Sequence, residues 1–188
     1  MGSASPVRVP IISIVGLSGS GKTTLMEKLI RVFSSEGLRV GTIKHSYHPH
    51  PLDAPGKDSW RHKNAGAEKV IFIWPKSFQL VSDISDDETP EGLSSEYLKD
   101  MDLVLVEGFV RSGVEKIEVI RKGRSEKIEM KSVDNTIAVV TDFPEDALKR
   151  ALGVSVPIIH IDDEASVAEF IRNHLSLPPP RVKKTRKI

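Results

Sequence analysis

Residues 16–23 of this chain read Gly-Leu-Ser-Gly-Ser-Gly-Lys-Thr, and few octapeptides restrict a fold so strongly. The spacing is that of a phosphate-binding loop: a glycine, four residues, then Gly-Lys-Thr. Glycines let successive backbone N–H groups turn inward and approach an anion closely. The loop works only between a buried strand and the N-terminus of a helix, whose dipole points at the same anion. Both flanks fit. Residues 7–15 form a short apolar run, and residues 22–36 switch to helical spacing, with Leu25, Leu29 and Val32 on one stripe and Gly37 as the stop. The segment 16–24, comprising Gly16, Ser18, Gly19, Ser20, Gly21, Lys22, Thr23 and Thr24, is therefore expected to bind a purine nucleoside triphosphate with Mg²⁺. Lys22 is expected to reach the β- and γ-phosphates, and the Thr23 hydroxyl to ligate the metal.

The rest of the chain repeats the strand–helix alternation. Strands are expected at 38–43, 69–74, 78–81, 103–106, 116–120, 136–140 and 157–161, and helices at about 58–65, up to 99, 144–152 and 163–175. This order predicts an α/β protein with the three-layer P-loop NTPase fold: a mostly parallel sheet, with the 69–81 pair as an antiparallel edge. One domain is expected over 7–176, followed by a basic tail over 177–188 after Pro178-Pro179-Pro180.

A magnesium site needs a carboxylate at the carboxyl end of a neighbouring strand. Residues 102–108 offer Asp102 and Glu107. Asp102 enters the strand, about 16 Å from its far end at about 3.3 Å per residue. Glu107 stands at that end and is the candidate metal ligand, the alternative being a plain ion pair with a lysine. After the second strand come Lys44, His45, His48 and His50. Three histidines invite a zinc reading, but without cysteines a loop contacting phosphate or a second ligand is the better expectation, with Lys44 and His45 closest to the strand end. Asp53 and Asp58 are expected either to reach Mg²⁺ through water or to cap turns and the next helix. Asp142 ends a strand, where it either reads a guanine base or sits in a simple turn.

Composition narrows the partners. The chain has no cysteine, which excludes disulfides, thiolate ligands and thiol nucleophiles. Net charge is +1, but Arg181, Lys183, Lys184, Arg186 and Lys187 of the tail account for more than that, so the body is net acidic and no nucleic-acid partner is expected. No apolar run approaches the roughly 20 residues that span a bilayer, and the first ten residues lack a signal-peptide core. The cytoplasm is the expected compartment.

The segments GLSGSGKTTL (16–25), GTIKHSYH (41–48), DAPGKDSWRHKNAGA (53–67), DLVLVEGF (102–109) and IAVVTD (137–142) together resemble the molybdopterin-guanine dinucleotide biosynthesis adaptor proteins, the MobB family, in order from about residue 11 to 175. The resemblance implies a GTP-binding accessory protein, usually a homodimer with weak GTP hydrolysis, that assists the molybdopterin guanylyltransferase in attaching GMP to molybdopterin. On that pattern Lys22 and Thr23 hold phosphates and Mg²⁺, Glu107 lies beside them, and Lys44, His45 and Asp58 are near the nucleotide. Two other readings stay open: a P-loop kinase with His45, Asp53 or Asp58 on the acceptor side, and a carrier in which residues 44–57 and the edge strands bind molybdopterin.

Overall fold

A computed structural model describes residues 8–46, 55–124, 128–153 and 155–180. Six strands, β1 (Ile11–Val15), β2 (Val40–Lys44), β5 (Leu103–Glu107), β6 (Lys116–Ile120), β7 (Thr136–Thr141) and β8 (Ile158–His160), form one parallel sheet in the order β2-β5-β1-β6-β7-β8. β3 (Lys69–Trp74) and β4 (Ser77–Ser82) pair antiparallel. The described residues up to His45 and from Thr89 onward form one compact unit, and those from Ser46 to Glu88 a second. The expected antiparallel pair is present, as a two-stranded sheet of its own in the second unit rather than a rung on the parallel sheet.

Parallel strands buried on both faces need apolar residues at consecutive positions. β5 supplies them with Leu103, Val104, Leu105 and Val106, all fully buried. Helix α1 (Lys22–Ser35) lays Leu25, Met26, Leu29 and Phe33 on one face of the sheet. Helix α5 (Glu164–His174) covers the same face with Val167, Ala168 and Ile171. Helix α4 (Glu145–Leu152) covers the opposite face through Leu148, against Ile120 and Val139. Two short helices, α2 (Asp58–Asn64) and α3 (Pro90–Tyr97), complete the order. Among the described residues no helix is long and apolar enough to cross a membrane.

Local chemistry explains small differences from the sequence reading. β1 begins at Ile11, after Pro10, which has no N–H for a ladder. β2 begins at Val40, because the N–H of Leu38 is spent on the carbonyl of Phe33 in closing α1. Asp58 is the first residue of α2 rather than its cap, where a carboxylate still suits the positive end of the helix.

Candidate functional site

All six parallel strands end on one edge, and the candidate site lies there. The loop between β1 and α1 is closed by Gly16 and Gly21, at φ +143° and +97°. A Cβ on Gly16 would lie 2.4 Å from the carbonyl oxygen of Val119, so the loop folds against β6 only as glycine. Lys22 Nζ donates to the carbonyls of Gly16 (3.0 Å) and Leu17 (2.8 Å), which holds the ammonium across the mouth of the loop. Burial lowers the Lys22 pKa from its usual value, while Glu107 and then Glu118 act in the other direction.

Sheet register carries the second part of the site. Glu107 lies opposite Ile14 on one side and Lys44 on the other. Its carboxylate accepts from Thr23 Oγ1 at 3.1 Å to each oxygen, and Lys44 Nζ lies 3.4 Å from Oε1. Expected to be metal ligands, Thr23 and Glu107 therefore meet directly, and Lys44 joins them. The backbone N–H of His45 donates to the carbonyl of Glu107 at 2.9 Å, and its ring lies 4.6 Å from that of Phe109. Thr24 faces the solvent one residue further along α1. Asp102, by contrast, lies at the other end of β5, where it accepts from the backbone and guanidinium of Arg39.

Asp142 follows β7, and its Oδ1 accepts from the backbone N–H of Lys122 at 2.7 Å. That bond ties the loop after β7 to the loop after β6. Asp58 belongs to the second unit, 3.7 Å from Arg61 there. His48, His50 and Asp53 lie outside the described residues, as does the tail from residue 181. Among the described residues no three His, Asp or Glu are grouped to hold a metal ion.

The structure adds residues that the sequence reading missed. Arg124 Nε donates to the carbonyl of Gly19 at 2.9 Å, and Arg121 reaches over Gly21. Both belong to Arg-Lys-Gly-Arg, the four residues directly after β6, so the signal was available: a strand end on the ligand edge followed by two arginines. Glu118 is also new. It pairs in register with Val15 beneath the loop, fully buried, and accepts from the backbone N–H groups of Lys131 (2.6 Å) and Ser132 (3.2 Å). Burial raises its pKa, and those two N–H groups oppose the shift.

The loop and its neighbours fit a magnesium-bound nucleoside triphosphate. The glycine cradle admits close approach of phosphates. A hydroxyl, a carboxylate and an ammonium converge at one end, and a metal that keeps waters and phosphate oxygens needs only one or two protein ligands.

Comparisons with known proteins identify the family. The family described as "Molybdopterin guanine dinucleotide synthesis protein B" matches residues 11–142. A molybdopterin-guanine dinucleotide biosynthesis adapter protein of Haemophilus influenzae is 36% identical over 175 residues, covering 89% of this chain and 90% of its own. The Escherichia coli K12 adapter protein is 33% identical, with coverages of 89% and 94%. A crystal structure of molybdopterin-guanine biosynthesis protein B superposes with a TM-score of 0.67 at 31% identity, covering 88% of this chain and 99% of that one. The Bacillus subtilis MobB structure gives 0.68 at 27%, with coverages of 90% and 98%. The chain belongs to the molybdopterin guanine dinucleotide synthesis protein B family.

Proposed function

We propose that this protein is a GTP-binding adaptor of molybdenum-cofactor guanylylation, which presents nucleotide to the guanylyltransferase that joins GMP to molybdopterin. The observation that carries the reading is the meeting of Thr23, Lys44 and Glu107 beside a complete phosphate loop in a chain of this family. Lys22 exchanges its two loop carbonyls for phosphate oxygens, and the N–H groups of the loop hold the phosphates in line. Thr23 and Glu107 hold Mg²⁺, directly or through its waters, and Lys44 balances charge at the same end. When bound, Mg²⁺ would supply neutralisation of the charge on the phosphates.

The same geometry supports slow hydrolysis as part of this reading. Glu107 is engaged by Thr23 and Lys44, so it is poorly placed to orient an attacking water. Calorimetric titration with non-hydrolysable GTP and ATP analogues, with and without Mg²⁺, tests the reading. The expected result is binding that prefers guanine and strengthens with Mg²⁺. In Glu107→Gln the gain from Mg²⁺ should fall by at least about 10-fold, with metal-free binding little changed. An unchanged Mg²⁺ response would remove Glu107 from the metal site. Adenine preference, with small-acceptor-stimulated turnover in the kinase range of roughly 1–100 s⁻¹, would favour the kinase reading instead.

A homodimer built on the β3–β4 hairpin completes the proposal. Ile71, Ile73 and Phe78 are well exposed on one face of the hairpin, and Phe72 and Trp74 on the other. A two-stranded sheet with apolar residues on both faces is marginal by itself, and a second copy offers the same pattern in return. Ile73→Glu changes a residue 73% exposed and should cost little folding stability. It is expected to turn a sedimenting dimer into a monomer. An unchanged sedimentation coefficient would place the interface elsewhere.

A further inference from the structure

The phosphate loop has two sides, because β1 lies between β5 and β6 in the sheet. Thr23, Lys44 and Glu107 occupy the side toward β5 and β2. On the other side, toward β6 and β8, Gly21 of the loop and Thr24 and Lys28 of α1 meet Arg121, Ile161 and Asp162 around a cleft of about 90 Å³. Arg121 Nη1 lies 3.5 Å, and Ile161 Cδ1 3.7 Å, from where a Cβ on Gly21 would sit. An elongated ligand whose metal-bound phosphates lie at Glu107 therefore extends across the loop into this cleft. Its far end meets a guanidinium, an aliphatic side chain and a carboxylate.

Four carboxylates stand near that end, and one of them, Glu164, pairs with Lys28 Nζ at 3.1 Å. Asp142 Oδ1 is held by the N–H of Lys122 at 2.7 Å. Asp163 caps α5, accepting from the N–H of Ser166 at 3.0 Å and its hydroxyl at 2.7 Å. Asp162 is exposed and lines the cleft, and its carboxylate lies 3.9 Å from His160 Nδ1. Of these carboxylates, Asp162 is the one that lines the cleft, so it is the one placed to accept from a ligand there. An ionised carboxylate only accepts hydrogen bonds. Guanine presents two donors side by side, the N1–H and the exocyclic amine, whereas adenine presents an acceptor at N1. The planar guanidinium of Arg121 suits the face of such a ring.

We infer that this cleft takes the base of the nucleotide, with Arg121 over the ring and Asp162, rather than Asp142, selecting guanine; the inference rests on the nucleotide-binding reading above. Asp142 acts one step removed, by holding the loop that carries Arg121. The test titrates wild type, Asp162→Asn and Asp142→Asn with the imidotriphosphates of guanosine, adenosine and xanthosine. Asp162→Asn should lose about 10- to 100-fold of the guanine-over-adenine preference. It should also gain affinity for xanthosine, whose C2 carbonyl can accept from the new amide. Asp142→Asn should weaken all three nucleotides alike. Asp162 is exposed, so matched melting temperatures will show that folding is intact. If Asp162→Asn keeps the guanine preference, the assignment of Asp162 is overturned while the nucleotide reading stands. Loss of that preference in Asp142→Asn instead would hand the role to Asp142. Failure of the wild type to bind any of the three would overturn both readings.

Discussion

Gly16→Ala should lower the melting temperature by about 10 °C, corresponding to about 4 kcal/mol in a domain of this size. Two costs combine. The backbone at Gly16 stands at φ +143°, where an L side chain is strained, and the new methyl would lie 2.4 Å from the Val119 carbonyl oxygen. That oxygen belongs to β6, inside the parallel sheet, so it cannot retreat cheaply. Gly113→Ala is the matched control, since nothing lies within 4 Å of the position its Cβ would take. Its melting temperature should stay within about 2 °C of wild type. Thermal unfolding followed by circular dichroism checks both. A Gly16→Ala protein that melts with the control would mean that the loop is not held against β6 as described.

Lys22→Ala should separate binding from folding. The ammonium sits over the Gly16 and Leu17 carbonyls and has its pKa lowered by burial, so its loss removes a charge that the fold does not favour. The melting temperature should therefore hold. Nucleotide affinity should not: the loss of a charged donor aimed at phosphate is expected to weaken triphosphate binding by about 100-fold. Lys22→Arg should recover little of it, because a planar fork does not replace a compact ammonium in so tight a loop. Calorimetry against a guanosine imidotriphosphate gives the answer. An affinity within about threefold of wild type would take Lys22 out of the phosphate site, contrary to the role of this lysine in such loops.

Much of this arrangement was written in local patterns. The phosphate loop declared itself because its glycines, lysine and threonine have fixed separations, and the helix after it was bounded correctly within a residue or so at each end. Glu107 could be chosen over Asp102 by strand length alone, and the structure places the two at opposite ends of β5. Pairing between distant segments was harder to read. Nothing in 69–82 says whether a hairpin joins a sheet or stands by itself. Asp142 could be seen to end a strand, but its bond to the Lys122 N–H depends on two strands, β6 and β7, lying side by side. Arg121 and Arg124 were passed over although they follow a strand that ends on the ligand edge; which part of the phosphate loop they meet depends on β6 lying beside β1.

That neighbourhood also bears on how the chain is made. β1 leaves the ribosome before the other described strands, yet its two partners, β5 and β6, begin only at Leu103 and Lys116. At the usual 5–20 residues per second, the interval is on the order of ten seconds. Throughout it, Ile12, Ile14 and Val15, all fully buried in the finished sheet, have no neighbouring strand to cover them. The nascent chain thus carries an uncovered apolar strand through that interval, and its phosphate loop cannot be set against Val119 until that residue has been made.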